Sequence, residues 1–152
     1  MTGLYPFAEY TGIDVAATAG RLYQGDRDHV VFPTMYLSDL IAEAPAPFDL
    51  VVIVDVIHPI PSQLRPDVLR GAAALTAPDG MLLIKEWERR RGLAHFVAHA
   101  VDRYLSGDKD IEFLTSDELR SLLTSVLPEF EVQTVGRIRP RHNNILYALG
   151  RP

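Results

Sequence analysis

Two uninterrupted apolar runs dominate the chain: Leu50 to Val54, which stops on Asp55, and Met81 to Ile84, which stops on Lys85 and Glu86. Continuous β-branched and apolar runs of this length predict strands covered on both faces, as in a parallel sheet flanked by helices. Between them Leu64, Val68, Leu69, Ala72 and Leu75 recur at helical spacing, predicting an amphipathic helix from Ser62 to Ala77. Pro78-Asp79-Gly80 then predicts a turn that resets the chain for a strand from Met81 to Trp87. Strand, helix and strand in that order make a βαβ unit. Ligands of such units bind beyond the carboxyl ends of the strands, where Asp55, Lys85 and Glu86 stand.

The flanking sequence extends the pattern. Glu9 to Asp14 reads as a short strand ending on a carboxylate, Val15 to Gln24 as an Ala-rich helix closed by Gly25 and Asp26, and His29 to Phe32 as a second short strand ended by Pro33. Tyr36 to Ala44 predicts a small helix before Pro45 and Pro47. Beyond the second long strand, Leu93, Phe96, Val97, Ala100, Val101 and Tyr104 predict a helix from Leu93 to Leu105, stopped by Gly107. Thr115 and Glu118 form a capping box that opens a helix from Asp117 to Leu127. Glu131 to Ile138 and Ile145 to Leu149 read as strands antiparallel to each other, joined by Arg139-Pro140-Arg141-His142-Asn143. The expected fold class is α/β, with a mostly parallel sheet and one reversed C-terminal strand.

Length and composition narrow the field. A chain of 152 residues, 47% hydrophobic and 23% charged, suits one soluble globular domain. The absence of cysteine excludes disulfides, thiolate metal sites and cysteine nucleophiles. No apolar run reaches membrane-spanning length and the first residues lack a signal-peptide pattern, so the expectation is a soluble, cytoplasmic protein with no membrane partner. The net charge of −5 argues against a nucleic-acid partner. The basic stretches Glu88 to Arg91 and Arg137 to Arg141 read as solvated loops. No P-loop, nucleophile elbow or dinucleotide fingerprint occurs.

The segments YTGID, VVIVDVIHPIP and APDGMLLIKE, with the later YLSGDKDIEFLTSDELRSLL and RIRPRHNNILYALG, resemble the class I S-adenosylmethionine-dependent methyltransferases. The resemblance implies a Rossmann-like methyltransferase sheet and S-adenosylmethionine as cofactor. It places Asp14 on the ribose hydroxyls, where a carboxylate can accept two charge-assisted hydrogen bonds. It also places Asp55, Val56 and Ile57 along the cofactor, and a small-molecule acceptor beside the loop that follows them.

The same comparison exposes a departure. The family's first strand runs into a Gly-x-Gly loop, and nothing upstream of Glu9 supplies that strand. Gly3 is therefore read as the last glycine of the loop in a chain truncated at its N-terminus. The acidic residue that often follows strand three is replaced here by Pro33-Thr34-Met35. Loss of the first strand should leave an open edge on Leu50 to Asp55. That edge is expected to be filled by Glu9 to Asp14 or by a second chain in a homodimer; otherwise Met1 to Pro47 should be poorly ordered.

His58 follows Asp55 by three residues and is the candidate general base for an acceptor hydroxyl or amine; the bland reading is a packed loop histidine. Glu86 is expected to face the acceptor and Trp87 to wall its pocket, against a plain strand exit with a surface ion pair. His95 and His99 stand four apart with Asp102 on the same side. They can bridge a metal or form a solvated or acceptor-facing surface, and the second is favoured, with His95 toward the acceptor and no metal assigned. Asn143 can hydrogen-bond a hydroxylated substrate, although Asn143 and Asn144 also suit a turn for conformational reasons. Two functions stay open. One is methyl transfer from S-adenosylmethionine to an oxygen or nitrogen of a small or glycan-like acceptor. The other is a non-catalytic, truncated methyltransferase-like module with weak or no cofactor binding.

Overall fold

In the computed structural model, residues 9–89, 112–138 and 143–152 are described, and they fall into two compact units, Met1–Pro45 and Ala46–Pro152. In the first unit β1 (Tyr10–Thr11) and β2 (Val30–Val31) pair in parallel, and a further bridge joins Asp14 to Thr34. The helix expected from Val15 to Gln24 does not form. The segment instead takes successive turns, in which the amides of Ala19, Arg21 and Tyr23 donate three residues back to the carbonyls of Ala16, Thr18 and Gly20. Gly20 sits at φ +67, a left-handed conformation that stops a right-handed helix from propagating. Phe32 packs on it, with the rings of Tyr10 and Tyr23 tilted against Phe32 at 5.7 and 5.5 Å. Helix α1 (Leu37–Ala42) follows, its first turn held by the Asp39 carboxylate accepting from the Tyr36 amide.

The second unit carries the predicted βαβ core. β3 (Phe48–Val54) and β4 (Thr76–Trp87) are adjacent and parallel, joined through a short 3-10 turn (Ser62–Leu64) and α2 (Arg65–Leu75). After α3 (Ser116–Val126), β5 (Glu131–Ile138) and β6 (Asn144–Gly150) complete a four-stranded sheet of order β3-β4-β6-β5. β6 is antiparallel to both neighbours and is the one reversed strand. Leu93 to Leu105, predicted as a helix, lies outside the described residues.

Pro78-Asp79-Gly80 proves to be part of β4 rather than a turn ahead of it. The register with β3 jumps from Phe48↔Thr76 to Leu50↔Met81, so these residues bulge from the ladder. Gly80 is required at the closest point: a Cβ there would lie 2.9 Å from the Phe48 carbonyl oxygen and 3.0 Å from that of Asp49.

The core lies on one face of the sheet. Ile53, Leu82, Ile84, Ile145, Tyr147 and Leu149 point to it, and Leu69 of α2 with Leu119 and Leu123 of α3 close over them. The helices are tied by polar contacts at their ends. Arg151 donates to the carbonyls of Ala73, Thr76 and Ala77, satisfying the C-terminus of α2 while lying over the Phe130 ring. At α3 the predicted capping box is present. Thr115 Oγ1 accepts from the Glu118 amide at 3.2 Å, and the Glu118 carboxylate accepts from the Thr115 amide at 2.7 Å. These bonds from Thr115, and then the nearby Arg89, hold the Glu118 carboxyl below its ordinary range.

The other face departs from the expectation of a strand covered on both sides. Leu50, Val52 and Val54 are 41%, 40% and 53% exposed. Among the described residues β3 has a single hydrogen-bonded neighbour, β4; of Glu9 to Asp14, expected beside it, Tyr10 and Thr11 pair with Val30 and Val31. Among the described residues, no helix is long and apolar enough to cross a membrane.

Two measurements test this account. Gly80→Ala should destabilise the protein by about 1–3 kcal/mol in denaturant titration, the range for a methyl group forced into filled space; an unchanged midpoint would remove the steric reading. Because folding lowers the Glu118 pKa, its stabilising contribution is complete above the ordinary glutamate range and falls away as pH drops through the lowered value. Glu118→Gln should therefore shallow the acid limb of the stability profile between pH 5 and the acid transition, and an identical slope would contradict it.

Candidate active site

The site begins where β3 ends. The Asp55 amide donates to the Lys85 carbonyl at 2.9 Å, extending the ladder by one residue, and Asp55 then turns the chain with φ 55. Left-handed backbone is uncommon outside glycine but tolerated by aspartate. The reversal brings Ile57 and His58 to the C-terminal end of β4. There the Ile57 amide donates to Glu86 Oε1 at 2.6 Å, and His58 Nδ1 lies 2.7 Å from Glu86 Oε2. Glu86 is 3% exposed. A carboxylate this deep needs compensation for lost water, and two donors from consecutive loop positions supply it. An ionised carboxylate only accepts, so the imidazole proton belongs on Nδ1 and the lone pair on Nε2.

The ring is fixed from a second direction. Phe113 stacks on the imidazole with centroids 4.9 Å apart and planes 18° apart, and the Glu112 amide donates to the His58 carbonyl at 3.1 Å. The result is a largely buried histidine with its tautomer, plane and backbone all held.

Asp55 serves a different group. Its Oδ2 accepts from Lys85 Nζ at 2.6 Å, while Oδ1 is buried without a partner among the described residues. Lys85 also lies over the Trp87 ring at 5.7 Å. Strand alternation sets Lys85 and Trp87 on the opposite face of β4 from Glu86. Ligand atoms of Asp55, His58 and Glu86 lie within 4.8 Å of one another. As the groups stand, an ammonium neutralises Asp55 and two N–H groups occupy Glu86, an arrangement suited to holding protons rather than a divalent ion.

In the first unit, Asp14 lines a cavity of about 490 Å³ together with Tyr10, Thr18, Gly20, Tyr23 and Phe32. Its Oδ1 accepts from the Ala16 amide at 2.9 Å. A carboxylate in an aromatic-walled cavity can accept hydrogen bonds from hydroxyl groups of a ligand.

Several expectations are corrected. Glu86, expected toward the acceptor, is buried with its carboxylate engaged by His58 and the Ile57 amide. Trp87, expected to wall the acceptor pocket, lies on the face of β4 opposite Glu86, beside Lys85. The Ile57 side chain is fully buried in the core, so only its amide serves the site, whereas Val56 is exposed in the loop. Asn143 precedes β6 at the carboxyl end of β4, where Asn144 pairs with Trp87. Its carbonyl accepts from the Glu88 amide and its Oδ1 from Asn144. Gly3, His95, His99 and Asp102 lie outside the described residues. Sequence reasoning missed Phe113, Glu112 and Arg65. The one available signal was the position of Phe113 two residues ahead of the capping box, which pins its backbone to the start of α3.

Comparison with known proteins gives one family and a fold. A family model described as a methyltransferase domain matches residues 2–82, more than half of the chain. No curated protein matches. Among solved structures, TnmH is similar with a TM-score of 0.75 at 20% identity, over 99% of this chain and 45% of that one. LaPhzM gives 0.72 at 19%, over 99% and 45%. The 1,6-didemethyltoxoflavin-N1-methyltransferase of Burkholderia thailandensis, solved with 1,6-didemethyltoxoflavin and S-adenosylhomocysteine, gives 0.68 at 18%, over 97% and 63%. The chain thus spans less than half the length of the first two, and at these identities the likeness is one of fold. With the family match over residues 2–82, the chain belongs to the methyltransferase domain family.

Proposed function

We propose that this chain serves methyl transfer from S-adenosylmethionine to an oxygen or nitrogen of a small or glycan-like acceptor, with His58 as general base. The observation that carries the reading is the His58–Glu86 pair at the carboxyl end of two parallel strands. When bound, the cofactor supplies an electrophilic methyl group on a good leaving group. The protein's own residues then have two tasks, positioning and proton removal. With Nδ1–H held by Glu86, Nε2 takes the proton from an acceptor O–H or N–H. The buried carboxylate stabilises the imidazolium that forms. Asp14 would hold the ribose through Oδ2, in a cavity whose aromatic walls suit the adenine. A small acceptor is favoured over nucleic acid by the state of the described arginines in the basic stretches. Arg137 pairs with Glu88 and Arg89 with Glu118.

The exposed apolar face of β3 favours the other reading, a methyltransferase-like module without cofactor binding. Calorimetry with S-adenosylmethionine and S-adenosylhomocysteine separates them. Micromolar binding selects the enzyme, and no heat at millimolar ligand selects the module.

In a cofactor-binding protein, Asp14→Ala should weaken cofactor affinity by about 1.5–3 kcal/mol, the usual worth of hydrogen bonds to a charged group. Unchanged affinity would take Asp14 out of the site. Turnover can be followed by transfer of labelled methyl groups to a panel of hydroxylated and amine acceptors. His58→Ala and Glu86→Gln should both lower kcat while leaving cofactor affinity near that of the parent. A variant of either residue with parental kcat would refute general-base catalysis by this pair.

A further inference from the structure

Arg65 is an unusual first residue for a helix. It is 3% exposed, and a cation at a helix N-terminus opposes the helix dipole. Burial of that charge requires dedicated partners, and Arg65 has three. Its Nε donates to the Ile60 carbonyl at 3.2 Å, Nη1 to the Glu112 carboxylate at 3.0 Å and Nη2 to the Glu112 carbonyl at 3.2 Å.

These bonds close a circuit. Arg65 grips the loop after β3 at Ile60 and the segment before α3 at Glu112. Glu112 returns to the same loop through its amide on the His58 carbonyl, and its neighbour Phe113 lies flat on the His58 ring. A leucine or methionine would fill the space without a charge to compensate. What an apolar side chain cannot do is fix two separate backbone segments in register by a planar fork.

The geometry points to Arg65 and Phe113 as positioning residues for His58: Arg65 sets the height of residues 112–113 above the loop, and Phe113 then sets the plane of the imidazole so that Nδ1 meets Glu86. This rests on His58 being the working base, but the positioning is measurable without any transfer reaction.

The test is imidazole 15N spectroscopy on the 152-residue protein, with the His58 signals assigned by their loss in His58→Gln. The parent should show the Nδ1–H tautomer with a slowly exchanging, downfield proton. In Arg65→Met that proton should be lost to exchange, and Arg65→Lys should fail to restore it because an ammonium has no fork. Phe113→Leu, which leaves the Arg65 bonds in place, should have the same effect and decides the matter if Arg65→Met does not fold. A folded variant whose His58 signals match the parent overturns the proposal. In the transfer assay the two variants should lose about 10- to 100-fold in kcat, the scale of a displacement near 1 Å, with cofactor Kd within about twofold. If the imidazole signals respond while His58→Gln keeps parental turnover, the positioning stands and the general-base reading falls.

Discussion

The Glu86 carboxylate is the interaction on which the rest of the second unit depends. It is a charge at the edge of an apolar core, one step beyond the alternating Leu82 and Ile84 on the same face of β4. Alone it would be strongly destabilising, and it is tolerable only because the Ile57 amide and the His58 imidazole meet it. The left-handed turn at Asp55 exists in the service of that meeting, since an extended residue there would carry the loop away from β4. The side of the loop away from β4 is closed by Arg65, Glu112 and Phe113. Strand, loop and the approach to α3 are thus held by a buried anion and a buried cation, each satisfied by backbone and side-chain groups of other segments.

The sheet explains the choice of residues at the site better than it explains the chemistry. Parallel strands β3 and β4 end side by side, so Asp55, Lys85 and Glu86 arrive together without any further device. Alternation then divides them. Glu86 serves the helix-covered face and His58, and Lys85 with Trp87 serves the other face and Asp55. Folds of this kind carry many activities, so the functional argument rests on the histidine and its carboxylate rather than on the sheet.

Much of this was legible in the sequence, and the failures are physical. The βαβ unit, the reversed last strand and the Thr115–Glu118 capping box were readable because each is encoded by neighbouring residues, through periodicity or a local hydrogen bond. The helix at Val15 to Gln24 was misread because alanine content outweighed a glycine whose left-handed backbone no composition reveals. Pro78-Asp79-Gly80 has turn chemistry, and only the close approach of the Phe48 and Asp49 carbonyls makes it a bulge. The orientation of Glu86 was within reach: counting by twos from Leu82 places it on the core face. Phe113 offered only its position ahead of the capping box, because its partner lies 55 positions earlier and no local pattern joins them.

The bare flank of β3 has a consequence for how the protein behaves in quantity. Leu50, Val51, Val52, Ile53 and Val54 form a flat β-branched run without proline or a cation to blunt it, bounded only by Asp49 and Asp55. Such a segment, half exposed and with one hydrogen-bonded neighbour among the described residues, is a template for intermolecular strand stacking. The exposed Leu50, Val52 and Val54 thus favour self-association on a strand whose other duty is to bring Asp55 and His58 to the end of the sheet. A charged side chain at Val52, on the uncovered face, would guard against self-association while leaving Ile53 in the core.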